Sequence, residues 1–394
     1  MTSTQAGTPA SSTDAASEPK MKVLALCTYP VEAAATRYRI AQFIAPLKAR
    51  GIDVTLRPLL DGRTFSSLYK RAEWARTARA LAGATLRRCA DVLSARRFDV
   101  VFVQREALLF GPPIIEWLLT RAGGRTLVLD LDDATYVRYV SQSYRRLGGA
   151  LKWFGKTDEL IRWATVVICG NRFIADYVAG LGARAVVIPT VVDTDLFRPL
   201  PPAPAPDVPV IGWVGTHSTF AYLETILPVL QALARAHRFR LRVVGAGRER
   251  IELPGVEVES LPWALGREVA DFQSLDIGLY PLDQNPSSPP EWLAGKSGFK
   301  AIQYMAVGVP FVVTPVGVCA ELGEPGVTHL PARTPAEWHA ALARLLTDAA
   351  LRRAMGAAGR QHALAHYALP AQADKLAAVL RAAVQSSMNA RAGG

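Results

Sequence analysis

Three groups of residues have the types and the spacing for chemistry. In Gly295-Lys296-Ser297-Gly298-Phe299-Lys300-Ala301-Ile302-Gln303, two lysines flank a glycine-bearing loop that opens a helical pattern. Such a loop gathers free backbone N–H groups and the positive end of the helix dipole, which suits a diphosphate. The plainer alternative is a helix–strand unit whose lysines are only solvated. In Asp130-Leu131-Asp132-Asp133, three carboxylates end an apolar run. Packed like charges repel, so they need a cation, hydrogen-bond donors or a ligand. A metal site, an acid/base, a hydroxyl-binding site and pairing with nearby arginines all fit. Arg37 and Arg39 flank Tyr38 shortly after another apolar run, and as a pair they suit an anionic ligand or ion pairs.

The elements that must position these groups are legible as apolar runs. Strands are expected at 22–27, 52–56, 100–103, 126–129, 166–168 and 186–189, then at 210–215, 241–244, 256–258, 276–280 and 311–313. Between many of them lie segments with helical periodicity, so the rhythm is that of right-handed βαβ units in parallel sheets. Arg37, Arg39, the 130–133 carboxylates and Cys169-Gly170-Asn171 then stand at strand carboxyl ends, where ligands of open α/β sheets bind. Residues 65–97 read as one strongly basic helix with an apolar stripe of Phe65, Leu68, Ala72, Ala75, Ala82, Leu86, Cys89 and Leu93. Its arginines suit either a solvated face or an anionic membrane. The proline-rich stretch 201–209 is the clearest linker. The expected division is a disordered tail at 1–20, a first Rossmann-like domain at 21–200, a second at 210–369, a packing helix at 370–386 and a flexible end at 387–394.

The 394 residues are long enough for two domains, and no apolar run reaches the roughly 20 residues of a membrane helix. Residues 1–20 lack the apolar core of a secretory leader. The four cysteines are scattered without metal-ligand spacing, which points to buried thiols in a reducing compartment. Residues 21–200 hold 27 Lys and Arg against 16 Asp and Glu, a net +11, whereas residues 201–394 carry a net +1. A basic front half suggests an anionic partner such as a membrane surface. Nucleic acid fits poorly, because the arginines lack interleaved stacking aromatics.

Several motifs in order and spacing resemble the GT-B glycosyltransferases of the family 4, or group 1, type over residues 21–385. They are Gly212-Trp213-Val214-Gly215 with Ser218-Thr219, Val244-Gly245-Ala246-Gly247, and the 295–310 stretch for the donor half. Arg37-Tyr38-Arg39, Asp130-Leu131-Asp132-Asp133 and Cys169-Gly170-Asn171 resemble the front half of one branch. The resemblance implies two Rossmann-like domains facing a central cleft, with the last helix packing back on the first domain. It implies that Gly215, Thr216, Ser218, Thr219 and Gly245 approach the donor diphosphate, that Pro262 and Trp263 hold the base, and that Gln303 faces the ribose. Lys296, Ser297, Gly298 and Phe299 complete the donor site, and Arg37, Arg39, Arg105, Asp133 and Asn171 face the acceptor. The sequence departs from the family in three places. Gly295 and Gln303 replace the two glutamates of its Glu-x7-Glu pattern, Thr216 and Ala221 stand where cations are usual, and Asp132 occupies roughly the place of a front-half histidine. Lys296 and Lys300 would then neutralise the leaving diphosphate in place of the missing cations. Lys300 and Asp132 are the expected catalytic residues, Asp132 by orienting hydroxyls.

The resulting expectation is a cytoplasmic glycosyltransferase, peripheral on the inner face of the membrane. It would move a sugar, with retention and without metal or cofactor, from a nucleotide sugar to a glycan or lipid-linked acceptor in polysaccharide or glycolipid synthesis. A nucleotide-sugar epimerase or non-catalytic binder on the same fold is the alternative. More remote is a phosphohydrolase with Asp130 or Asp132 as nucleophile.

Overall fold

The computed structural model describes residues 21–67, 74–138, 153, 155–201, 207–282 and 288–392. The expected tail, part of the basic helix (68–73) and most of the linker (202–206) lie outside the described residues.

Two six-stranded parallel sheets carry the fold. The first runs β2-β1-β3-β4-β5-β6, from β1 (Met21–Cys27), β2 (Ile52–Pro58), β3 (Val100–Gln104), β4 (Thr126–Leu131), β5 (Val166–Cys169) and β6 (Ala185–Val187). The second runs β12-β11-β10-β7-β8-β9, from β7 (Val210–Val214), β8 (Arg240–Val244), β9 (Glu257–Leu261), β10 (Ile277–Tyr280), β11 (Phe311–Val313) and β12 (Leu330–Pro331). Strands β3, β4, β5 and β7 are buried along their whole length, as the unbroken Val/Ile/Leu runs require of a sheet covered on both faces. Strand order reverses between β1 and β3 and between β7 and β10. At such switch points diverging loops leave a crevice beyond the strand carboxyl ends.

Helix Phe299–Ala306 is the core of the second sheet. Seven of its eight residues are buried, and Tyr304 packs where a Cβ on Gly278 of β10 would come within 2.7 Å of its ring. The Tyr304 hydroxyl reaches the carbonyls of Gly212 at 3.3 Å and Leu279 at 3.1 Å, so its polar end is satisfied in the core.

The last helix runs Leu369–Ala392, six residues past the expected end at 386, and residues 387–392 are helical where a flexible end was expected. Its buried face, Leu369, Ala373, Leu376, Ala377, Leu380 and Ala383, packs under the first sheet against Val23, Ile40, Phe43 and Phe102. Val192, at the end of the first half, bridges to Ala368 just before this helix.

Helix Trp74–Ser94 corrects the expected apolar stripe. It buries Thr77, Ala84 and Arg88 and exposes Leu86, Cys89 and Leu93. Arg88 is no surface cation. Its guanidinium donates to the carbonyls of Cys27 at 2.9 Å, Arg57 at 2.9 Å and Ala107 at 3.2 Å, tying together three strand-end loops. Cys27, Cys169 and Cys319 are buried, as expected of apolar runs; Cys89 is exposed.

Candidate active site

The carboxyl ends of the two sheets face each other and touch. Ala134, just after β4, lies so close to Gly295 that a Cβ there would fall 2.3 Å from the Ala134 Cβ. The rings of Tyr38 and Phe299 approach to 4.3 Å between centroids. Asn171 Nδ2 donates to the Lys296 carbonyl at 3.1 Å.

On the first sheet the three carboxylates are neutralised by arginines. Arg39 is buried and donates through Nε to both Asp130 oxygens (3.2 and 3.0 Å), through Nη2 to Asp130, and through Nη1 to the Ile188 carbonyl at 2.8 Å. It is therefore structural, which corrects the expected acceptor contact. Asp130 is equally buried, with burial pushing its carboxyl up against the opposing pull of Arg39. An enclosed, paired carboxylate cannot attack an external phosphate, so the phosphohydrolase alternative fails for Asp130. Asp132 accepts from Arg105 Nε at 2.5 Å and Nη2 at 2.8 Å and from Gln104 Nε2 at 3.1 Å. Burial alone would raise its carboxyl, but Arg105 and then Arg39 hold it below the usual carboxylate range. It remains ionised and is a weak base. The same Arg105 Nη2 donates to Asp133 at 2.7 Å, so one guanidinium bridges both carboxylates.

Arg105 is the one non-glycine residue with positive φ among those described, at 62°. A left-handed arginine costs on the order of 1–2 kcal/mol. The cost is offset by the two ion pairs and by its N–H, which donates to the Asp130 carbonyl at 2.9 Å.

On the second sheet, the turns after β7, β8 and β9 converge. Gly245 adopts φ 82°, and a Cβ there would lie 2.3 Å from the Gly215 carbonyl oxygen and 3.3 Å from Trp263 Cβ. Only a glycine allows the first two turns to meet with Trp263 beside them. Thr216 and Ser218 are exposed and their hydroxyls pair at 2.9 Å; the Thr219 hydroxyl accepts from the Thr216 N–H at 3.0 Å. Pro262 is exposed and its carbonyl accepts from Arg267. Gly298, at φ 64°, caps helix Phe299–Ala306, and its missing side chain makes room for Val318, 2.6 Å from the ideal Cβ position. Ser297 is half-buried beside it.

The two lysines do not point to the same partners. Lys296 Nζ sits over the Trp292 ring at 4.5 Å. Lys300 Nζ donates to Gln303 Oε1 at 3.1 Å and lies 5.3 Å from the Phe272 ring centre. Burial pulls its ammonium down to about 8, with Glu268 acting in the opposite sense.

Glu268 and Tyr38 are the residues that sequence reasoning missed. Glu268 is buried at the start of helix Glu268–Gln273, just after Trp263. It accepts from Arg37 Nη2 at 3.1 and 3.0 Å and from the Tyr38 hydroxyl at 2.7 Å. Arg37 also donates to the Val31 and Glu32 carbonyls at 3.0 and 2.9 Å and lies over Trp263 at 5.1 Å. Gln303, fully buried, has its amide nitrogen 3.4 Å from Glu268 Oε1 and 3.5 Å from the Tyr38 hydroxyl. This places it beneath Glu268 and Lys300, away from the cleft surface where a ribose contact was expected. Arg37 Nη2 and Asn171 Nδ2 likewise reach across the cleft, to Glu268 and to the Lys296 carbonyl, while Arg37 Nη1 stays within its own loop and its buried Nε has no partner among the described residues. Asn171 also caps helix Arg172–Gly180, its Oδ1 accepting from Ile174 N at 2.9 Å. A tyrosine between two arginines was the available signal for Tyr38; nothing local marks Glu268.

Residues 227–378 match the family model described as Glycosyl transferase-like. Solved structures of similar fold cover nearly the whole chain. Sucrose-phosphate synthase from Thermosynechococcus elongatus is 15% identical with a TM-score of 0.64, over 93% of this chain and 100% of that one. A glycosyltransferase from Rickettsia africae is 12% identical with a TM-score of 0.64, over 93% and 99%. HepE from Anabaena, in complex with UDP-glucose, is 16% identical with a TM-score of 0.64, over 92% and 100%. The chain has the GT-B fold, and part of its second half is similar to the glycosyl transferase-like family. No curated protein sequence matches it. In this GT-B chain the matched region holds Lys296, Lys300, Gln303 and Glu268, and the partner side of the cleft is built by β1, β3, β4 and β5. Among the described residues, no cluster of three or more His, Cys, Asp or Glu could hold a metal ion, and no helix is long and apolar enough to cross a membrane.

Proposed function

We propose that this transferase moves a sugar from a nucleotide-sugar donor to a glycan or lipid-linked acceptor, with retention at the anomeric carbon. The observation that carries the reading is the meeting of two switch points. The glycine turns after β7 and β8 and the Gly298–Lys300 helix start stand on one side; the Asp132–Arg105–Asp133 bridge stands on the other. The donor diphosphate lies against Gly215, Gly245 and the helix start. Lys300 and Lys296 supply positive charge as it departs, in place of a metal ion. The ammonium of Lys300 suits this task, because a neighbouring diphosphate restores the charge that burial weakens. Asp132, held ionised, accepts hydrogen bonds from sugar or acceptor hydroxyls, and the departing phosphate takes the acceptor proton. The complexes of HepE with UDP and UDP-glucose make UDP-sugars the first donors to try.

The test is a thermal-shift screen of UDP-, GDP- and dTDP-sugars, followed by turnover with donor alone and with candidate acceptors in the presence of EDTA. Stabilisation by one donor, acceptor-dependent nucleotide release and an axially linked product from an axial donor support the reading. Conversion of the donor sugar without acceptor would make the protein an epimerase, and no shift with any donor would sink the donor site.

A further inference from the structure

We infer that helix Trp74–Ser94, together with the short helix Ile114–Trp117 packed against it, docks on an anionic lipid surface. Leu86 and Leu93 are 72% and 80% exposed, and Ile114 and Trp117 are 54% and 47% exposed. Among the described residues, these two leucines have no packing partner. Positions 82, 86, 89 and 93 recur at intervals of four and three, so Ala82, Leu86, Cys89 and Leu93 share one face. The opposite face, Thr77, Ala84 and Arg88, is the one that packs on the domain. Helix Ile114–Trp117 divides in the same way, with Ile115 and the following Leu119 inward and Ile114 and Trp117 outward. It lies directly beside the longer helix.

The charges around this face decide what covers it. At about 100° per residue, Arg79 falls close to the Leu86 direction with Arg76 and Arg87 on one flank, and the exposed Arg96 and Arg97 follow in the tighter turn Ala95–Arg97 at the helix end. Arg79, Arg96 and Arg97 make no ion pair among the described residues. Asp91 is the only acidic residue from 74 to 97, and it faces inward to Arg88 at 3.1 Å and Arg57 at 4.0 Å. Leucine and tryptophan at the centre with guanidinium groups at the rim match a surface with acyl chains below a layer of phosphates. A second copy of this chain would instead set the same arginines against each other.

The proposal does not depend on the catalytic reading, and flotation of the full chain on vesicles tests it. The protein is expected to float with vesicles of equal parts phosphatidylglycerol and phosphatidylcholine, to release them as salt rises, and to ignore phosphatidylcholine alone. Replacing Leu86 and Leu93 together by Glu should abolish flotation, and replacing Arg96 and Arg97 by Glu should weaken it roughly tenfold or more. All four side chains are exposed, so both variants should keep the melting temperature of the parent. No flotation on anionic vesicles, or flotation unchanged by Leu86→Glu with Leu93→Glu, overturns the proposal. So does a dimer in sedimentation velocity that this double substitution dissolves, since a second copy would then cover the face.

Discussion

Arg37 and Glu268 are 231 residues apart in the chain, yet the Arg37 Nη2 is held by both Glu268 carboxylate oxygens, at 3.1 and 3.0 Å, across the cleft. Tyr38 donates to the same carboxylate, so two side chains of one loop share a buried acceptor on the other side. Removing one partner of a largely buried pair leaves the other charge uncompensated. Glu268→Ala should therefore lower the unfolding free energy by about 3 kcal/mol. It should also raise the radius of gyration in small-angle scattering as the cleft opens; an unchanged radius would mean that the pair does not hold the domains closed.

Lys300 should impose a pH limb. Its folded-state ammonium titrates at about 8, below the unfolded 10.5, so between these values the unfolded chain binds more protons. Stability should then rise with pH across that window, and Lys300→Met should flatten the rise. Activity should run the other way, with kcat/KM for the donor falling as pH passes 8 and the charge is lost. Lys300→Ala should cost roughly a hundredfold or more in turnover and erase the limb. Wild-type-like kinetics from this variant would remove Lys300 from the reaction.

Asp132 should show no titration near neutrality, because Arg105 and Arg39 keep its carboxyl below the usual range. The pH–rate profile between about 5 and 7 should be flat for any step that needs Asp132 ionised. Asp132→Asn should weaken acceptor use while leaving donor binding measured by calorimetry near the parent value. An acidic limb lost in this variant would instead mark Asp132 as a general base.

Restoring glutamate at 295 should harm the protein. A Cβ at Gly295 would sit 2.3 Å from that of Ala134, so Gly295→Ala already overpacks the contact between the halves. The expected penalty is about 1–3 kcal/mol. Adding Ala134→Gly should recover part of it, and a strictly additive double mutant would mean that the two residues do not meet.

Arg39→Met should act on stability alone. It strands the fully enclosed Asp130 carboxylate, for a loss of about 3–5 kcal/mol. Acceptor KM in the surviving folded fraction should stay near the parent value, whereas a large KM change with little loss of stability would return Arg39 to the acceptor site.

Eleven of the twelve strands could be read from the sequence, because a parallel sheet covered on both faces demands unbroken apolar runs such as 100–103 and 166–168. The exception, Leu330–Pro331, is two residues long and carries no pattern. The glycine turns at 215 and 245 were legible because close approach of backbones excludes a side chain. What could not be read was which cation serves which carboxylate. Arg37, Arg39 and Arg105 are equivalent in type, yet one crosses the cleft, one is sealed under it and one bridges its floor. Burial of Arg88 was hidden for a similar reason, since a long side chain can satisfy three carbonyls from a position that looks solvated. Helical periodicity likewise set the face of 74–94 wrongly, because leucines normally mark the buried side.

The bridge between Val192 and Ala368 has a practical consequence. It ties the end of the first half to the chain just as it returns from the second, so the two segments lie side by side there. The return passage also ends as the layer that seals the underside of the first sheet. Expressed without residues 369–392, the front half would bare that underside and precipitate. The gene therefore cannot be cut at its linker into two working pieces; the last helix has to travel with the first domain.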